Sequence, residues 1–136
     1  MSQSPIIRFN SNGPDATGLQ FLGNLESENV LAGDPVETGH VYFSDPGGEM
    51  SAGVWECTPC TSEVVSQPLH EFCLILSGIA IITDGDGNEQ TFKVGDSFLI
   101  PMGTHCTWHM PETLRKYFVL FGNSASQAEA ETEAAE

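Results

Sequence analysis

The chain has 136 residues, 40% of them apolar and 17% charged, which fits one domain of about 100–200 residues able to bury roughly two-thirds of its unfolded surface. Four basic residues (Arg8, Lys93, Arg115 and Lys116) stand against 19 acidic ones, a net charge of −15. With no basic stripe to displace phosphate counterions, no nucleic-acid partner is expected, nor an anionic membrane surface.

Residues 1–50 carry turn signals at Asn12-Gly13-Pro14, Gly33-Asp34-Pro35 and Asp45-Pro46-Gly47-Gly48, which separate short extended pieces at 6–9, 19–22 and 40–43. No helical period is visible there. This stretch reads as an extended N-terminal segment, packed on the domain that follows or on a dimer partner.

From residue 51 the pattern is β. Apolar or alternating runs occur at 52–57, 71–76, 79–83, 90–93, 97–100, 106–110 and 115–121, broken by turn residues at near-regular spacing. Asp84-Gly85-Asp86-Gly87-Asn88 between two runs is a hairpin signal. Many short strands spaced this way predict an all-β antiparallel sandwich or barrel.

Alternate strand residues point to opposite faces. In 71–76 one face carries Phe72, Leu74 and Leu76, the other Glu71, Cys73 and Ile75. Both faces are largely apolar, so both should be covered, and a second subunit on the outer face, hence a homodimer, is the economical explanation.

The final stretch, 124–136, contains only Ser, Ala, Gln, Thr and Glu. It has no large apolar residue to dock a helix, and Glu129 and Glu133, four apart, would repel on one. It reads as a disordered acidic tail. Residues 1–10 lack a charged region followed by a continuous apolar run, as a secretion signal has. Nor does any apolar run approach the ~18 residues of a membrane-spanning helix. Cys57, Cys60, Cys73 and Cys106 make no disulfide framework at this size, so reduced thiols and a cytoplasmic location are expected.

Two segments together resemble the cupin superfamily. The first contains Gly53-Val54-Trp55-Glu56-Cys57 and then Glu71, six residues and Gly78; the second contains Gly95, five residues, then Pro101-Met102-Gly103, followed by Thr107-Trp108 and Lys116. The Trp-Glu-Cys, Glu-Phe-Cys and Thr-Trp details are similar to small single-domain cupins of the ureidoglycine aminohydrolase-like and ethanolamine-utilisation kind. The resemblance covers about residues 51–121. It implies an all-β, cupin-type conical barrel, an antiparallel jelly roll with its core at 51–123, often dimeric.

The resemblance also implies a metal held by three His and one Glu in many members, and here the sequence departs. The stretch where a His-x-His would fall is Val64-Val65-Ser66-Gln67, the third His position is Cys106, and a following Asn is replaced by Met110, leaving Glu71 alone. His70 is next to Glu71 and so faces the other way. His105 and His109 lie about 13 Å apart along an extended strand, too far for one ion with ligand bonds near ~2.0 Å. No cofactor is expected; a transition metal would have to use Glu71 and Cys106, with His70 or His105 turned inward by a bulge near Gly103-Thr104. Cys57-x-x-Cys60 straddles a strand end and a Pro turn, has no second pair to complete a zinc site, and reads as coincidence.

Parity instead predicts a ligand pocket of Trp55, Gln67, Glu71, Cys73, Cys106 and Trp108. A carboxylate buried among Trp, Cys and Met has a raised pKa unless it is paired, and Glu71 is the one candidate catalytic group. The expected function is an interior pocket for a small polar metabolite. The alternatives are an enzyme similar to ureidoglycine aminohydrolase-like cupins, hydrolysing or isomerising a small metabolite, and an accessory scaffold protein. Truncation after Gly122 removes no large apolar residue, so the melting temperature should change little; a fall of many degrees would show that the tail packs.

Overall fold

The computed structural model describes residues 6–14, 18–24 and 29–122; the tail expected at 124–136 lies outside them. Among the described residues there are strands and no helix. In chain order they are β1 (Gln20–Asn24), β2 (Val30–Gly33), β3 (Val36–Ser44), β4 (Met50–Cys57), β5 (Cys60–Val64), β6 (His70–Ser77), β7 (Ala80–Asp84), β8 (Glu89–Phe92), β9 (Ser97–Ile100), β10 (Cys106–Met110) and β11 (Leu114–Phe121). They form two sheets with antiparallel pairing throughout, in the orders β1-β3-β4-β11-β6-β9 and β2-β5-β10-β7-β8. The two sheets pack face to face as a jelly-roll barrel, the all-β architecture expected.

The runs read from residue 51 onward become β4 and β6 to β11 with ends shifted by one or two residues. β5 had no counterpart among them. Its Thr61, Ser62 and Glu63 carry no apolar alternation, and the strand forms because β2 and β10 pair with it on either side. The first fifty residues contribute β1 and β3 to one sheet and β2 to the other.

Inward-pointing residues build the core. Cys106, Trp108 and Met110 of β10 are buried while His109 is exposed, and Cys73 and Ile75 of β6 are buried while Phe72 is exposed. Cys57, Cys60, Ala80, Ile82, Ile100 and Leu114 complete the cluster. Residues 6–14 run across the opposite face of the six-stranded sheet. Phe9 stacks on Tyr42 with ring centroids 4.8 Å apart and meets the edge of Tyr117 at 5.4 Å. Arg115 Nη1 donates to Ser11 O at 2.6 Å and to Asn12 Oδ1 at 2.7 Å. This cover stops short of β6 and β9, where Phe72 and Leu99, opposite each other across the pair, are 41% and 52% exposed.

The turn after β6 needs glycine for two reasons at once. Gly78 has φ +84°, and a Cβ there would collide with the Thr113 carbonyl oxygen. Gly103 has φ +88° but open space around it. Gly78→Ala should therefore destabilise by about 2–5 kcal/mol, strain plus overpacking, against about 1–2 kcal/mol of strain for Gly103→Ala. Urea unfolding of the two variants checks this; equal losses would mean that the β6 turn relaxes freely.

Candidate functional site

Four strands aim side chains at one place inside the barrel. β6 contributes Glu71 and Cys73, β4 contributes Trp55, β10 contributes Trp108, and β11 contributes Lys116. Gln67, between β5 and β6, is held by backbone: its N–H donates to Thr104 O at 2.9 Å and its carbonyl accepts from Gly103 N at 2.8 Å. That clamp ties the Gln67 bend to the Gly103 turn and buries the side chain to 4% exposure.

The centre is an ion pair. Lys116 Nζ donates to Glu71 Oε2 at 2.7 Å, with side chains 7% and 13% exposed. The same ammonium lies 4.4 Å from the ring centroid of Trp108 and 4.8 Å from that of Trp55, close enough for cation–π attraction from both indoles. It also contacts Cys73 Sγ at 3.6 Å. Gln67 Nε2 donates to Glu71 Oε1 at 3.3 Å, and Trp55 Nε1 donates to Glu37 Oε1 at 2.7 Å, which fixes the indole plane.

Pairing decides the protonation states. Burial works to raise the Glu71 carboxyl, but the Lys116 charge and hydrogen bonds from Lys116, Cys73 and Gln67 outweigh it and hold it below the usual carboxylate value. Burial works to lower Lys116, and the Glu71 charge outweighs it and holds the ammonium above the ordinary lysine value. Both groups are ionised at neutral pH. Burial pushes the Cys73 and Cys57 thiols up to about 12 and also raises Cys106 and Cys60. All four thiols stay protonated and weakly nucleophilic.

Two cavities flank the pair. One, of about 130 Å³, is bounded by Ser62, Val64 and Met110; the other, of about 240 Å³, is bounded by Phe118 and Leu120; both share Trp55, Glu71 and Lys116. Of the residues expected from parity, Trp55, Gln67, Glu71 and Trp108 line the first cavity, and Cys73 touches the ion pair. Cys106 is buried in the core and opens instead on a separate cleft of about 320 Å³ beside Ile82, Phe92 and Phe98. His70 faces away from Glu71: its Nδ1 accepts from Met102 N at 3.0 Å and its ring lies 5.1 Å from that of Phe121. His105 sits at the surface with Nε2 2.7 Å from Glu63 Oε2.

Sequence reasoning noted Lys116 in the second motif segment but did not place it at the site. Along β11, Lys116 alternates with Phe118 and Leu120, but Arg115 alternates with the equally apolar Tyr117 and Val119, so parity alone does not say which cation turns inward. The register settles it: Lys116 lies opposite Trp55 on β4 and Ile75 on β6, both inward, in ladders that run without interruption to Phe121. A β-bulge on β6 comes only beyond Lys116, where Arg115 pairs with Ser77 and Leu76 is skipped. The available signals were its place in the second motif segment and the rarity of a lysine in an apolar strand of a chain with so few cations.

The donor set does not fit the metal found in many cupins. Glu71 already holds the Lys116 ammonium, and neither His70 nor His105 turns toward it. Among the described residues no group of three or more His, Cys, Asp or Glu side chains is placed to hold an ion.

An antiparallel jelly-roll barrel with its polar residues gathered inside on strands of both sheets is the architecture of the cupins. Residues 44–118, more than half the chain, match the EutQ-like cupin domain, and the chain belongs to that family. A protein of unknown function from Pseudomonas syringae pv. tomato superposes with a TM-score of 0.74 at 18% identity, over 82% of this chain and 46% of that one, so the chain spans about half of its length. The EutQ protein of Clostridium difficile gives 0.60 at 19% identity over 74% and 77% of the two chains. The cupin domain of Schizosaccharomyces pombe Cnp3 gives 0.56 at 17% identity over 70% and 71%. These likenesses show the fold. No curated protein matches the chain. Among the described residues no helix is long and apolar enough to cross a membrane.

Leaving one half of the pair alone in the barrel should be costly. Lys116→Met should destabilise by about 3–5 kcal/mol, whereas the double variant Glu71→Gln/Lys116→Met should lose less, because no bare charge remains. The pH dependence has a definite sign. The contribution of Glu71 is complete above its ordinary value of 4.5 and is lost as pH falls through its depressed value. The contribution of Lys116 is complete below its ordinary value of 10.5 and is lost only as pH climbs through its raised value. The stability gap between wild type and the double variant should thus be flat between these limits and close in acid. A gap that widens below pH 4.5 would show Glu71 to be unpaired in solution.

Proposed function

We propose that the barrel interior is a binding pocket for a small polar metabolite, held at the Glu71–Lys116 pair between Trp55 and Trp108. The observation that carries this reading is the largely buried ion pair bordering two cavities. A buried ion pair is weak as a stabilising device, since apolar residues of similar volume often do as well, so a purely structural role leaves its presence unexplained. Binding is favoured over hydrolysis or isomerisation because neither charge is tuned for proton transfer. The carboxyl is held down and the ammonium held up, both away from the neutral range that a general acid or base needs.

Two further readings accompany this one. The exposed Phe72 and Leu99 on the outer face of β6 and β9 favour a second copy of the chain there, giving a homodimer. Four buried, unpaired thiols suit a reducing cytoplasm.

A thermal-shift screen of small polar metabolites tests the pocket, because a ligand at about 100 times its Kd stabilises by about 2.7 kcal/mol whatever the reaction. A hit should raise the melting temperature by several degrees in wild type and not in Glu71→Gln/Lys116→Met. A shift that survives in the folded double variant would place the ligand elsewhere. For the dimer, Phe72→Glu should give monomers in sedimentation; an unchanged dimer would reject this face.

A further inference from the structure

We infer that the occupant of this pocket is compact and uncharged and carries a carbonyl oxygen, as an amide does, which accepts a hydrogen bond from Lys116 while its flat face lies on an indole. This rests on the pocket reading above and adds the chemistry of what fills it.

The first argument is charge. Lys116 Nζ and Glu71 Oε2 are 2.7 Å apart, so the site is neutral as a unit. An incoming cation would meet the ammonium already lodged between Trp55 and Trp108. An incoming anion would compete with the Glu71 carboxylate for the same ammonium, inside a chain of net charge −15. In a low-dielectric interior both intrusions are penalised far more than in water.

The second argument is the balance of donors and acceptors. An ammonium has three N–H groups. One is spent on Glu71 at 2.7 Å and one reaches only the Cys73 sulfur at 3.6 Å, which leaves donor capacity on a group that borders both cavities. Glu71 Oε2 takes Lys116 and Oε1 takes the Gln67 amide, which leaves about half of the roughly four acceptor positions of a carboxylate. A site with a spare N–H on Lys116 and spare acceptor capacity on Glu71 calls for a ligand that both accepts and donates, as a primary amide does.

The third argument is shape. The cavity of about 130 Å³ has two indoles, Val64 and Met110 in its lining. At about 30 Å³ per water that is room for a handful of heavy atoms, and planar aromatic walls favour a planar group.

Trp55 and Trp108 are the two tryptophans of the chain, so the two indole N–H resonances of 15N-labelled protein report on the site directly. Propionamide, propionate and propylammonium are close in size and differ in charge. Propionamide should shift both indole signals saturably, in the millimolar range expected for so few atoms, with at least tenfold weaker binding in Glu71→Gln/Lys116→Met. The three-probe comparison in wild type needs no variant and stands even if the double variant fails to fold. Propionate or propylammonium binding as well as propionamide overturns the ligand class but leaves the pocket reading intact. The same split follows if none of the three moves an indole signal while a hit from the metabolite screen does. If neither the probes nor any metabolite moves them, both readings fall together.

Discussion

The Lys116–Glu71 pair sets the terms for the rest of the barrel. An ammonium and a carboxylate taken out of water each cost several kcal/mol in desolvation, and their attraction offsets this only if the geometry is good and the leftover hydrogen-bonding groups are satisfied. Each neighbour of the pair meets one of those conditions. Gln67 supplies a donor to the second carboxylate oxygen, Cys73 sits against the ammonium, and two indole faces flank it. No buried side-chain nitrogen or oxygen among the described residues is left without a partner.

Those neighbours are held by features that have no chemistry of their own. The backbone clamp between Gln67 and the Gly103 turn brings the amide to the carboxylate. The glycine turn at 78, pressed against Thr113, keeps β6 in place beside β11. The register of β11 against β4 and β6 decides the fate of two adjacent cations. Arg115 turns outward, where Glu56 receives it at 2.9 Å and residues 11 and 12 cap it. Lys116 turns inward. Had β11 slipped by one residue against both neighbours, the arrangement would reverse and the barrel would hold Glu71 unpaired.

This arrangement gives the site a different chemical character from a metal-holding cupin. A metal ion is an exchangeable charge with open coordination positions; an amino group on a strand is a permanent charge with fixed reach and spare N–H donors. Such a site offers hydrogen bonds and aromatic faces in place of coordination positions.

The strand runs from residue 51, the motif glycines and the inward set of Glu71, Cys73, Trp55 and Trp108 were legible in the sequence. Each depends on local rules, namely the two-residue period of a strand and the turn conformations that glycine allows. β5 was not legible, because its polar residues become a strand only when β2 and β10 lie on both sides. Nor was Lys116, because both faces of β11 are apolar and the choice between them is made by its register against β4 and β6. The sequence by itself determined an all-β barrel of cupin type with a carboxylate turned inward and no histidine set to hold a metal beside it. Only the tertiary structure decided that the carboxylate is paired and ionised, because its partner lies 45 residues away and reaches it through the register of two strands, which no local pattern records.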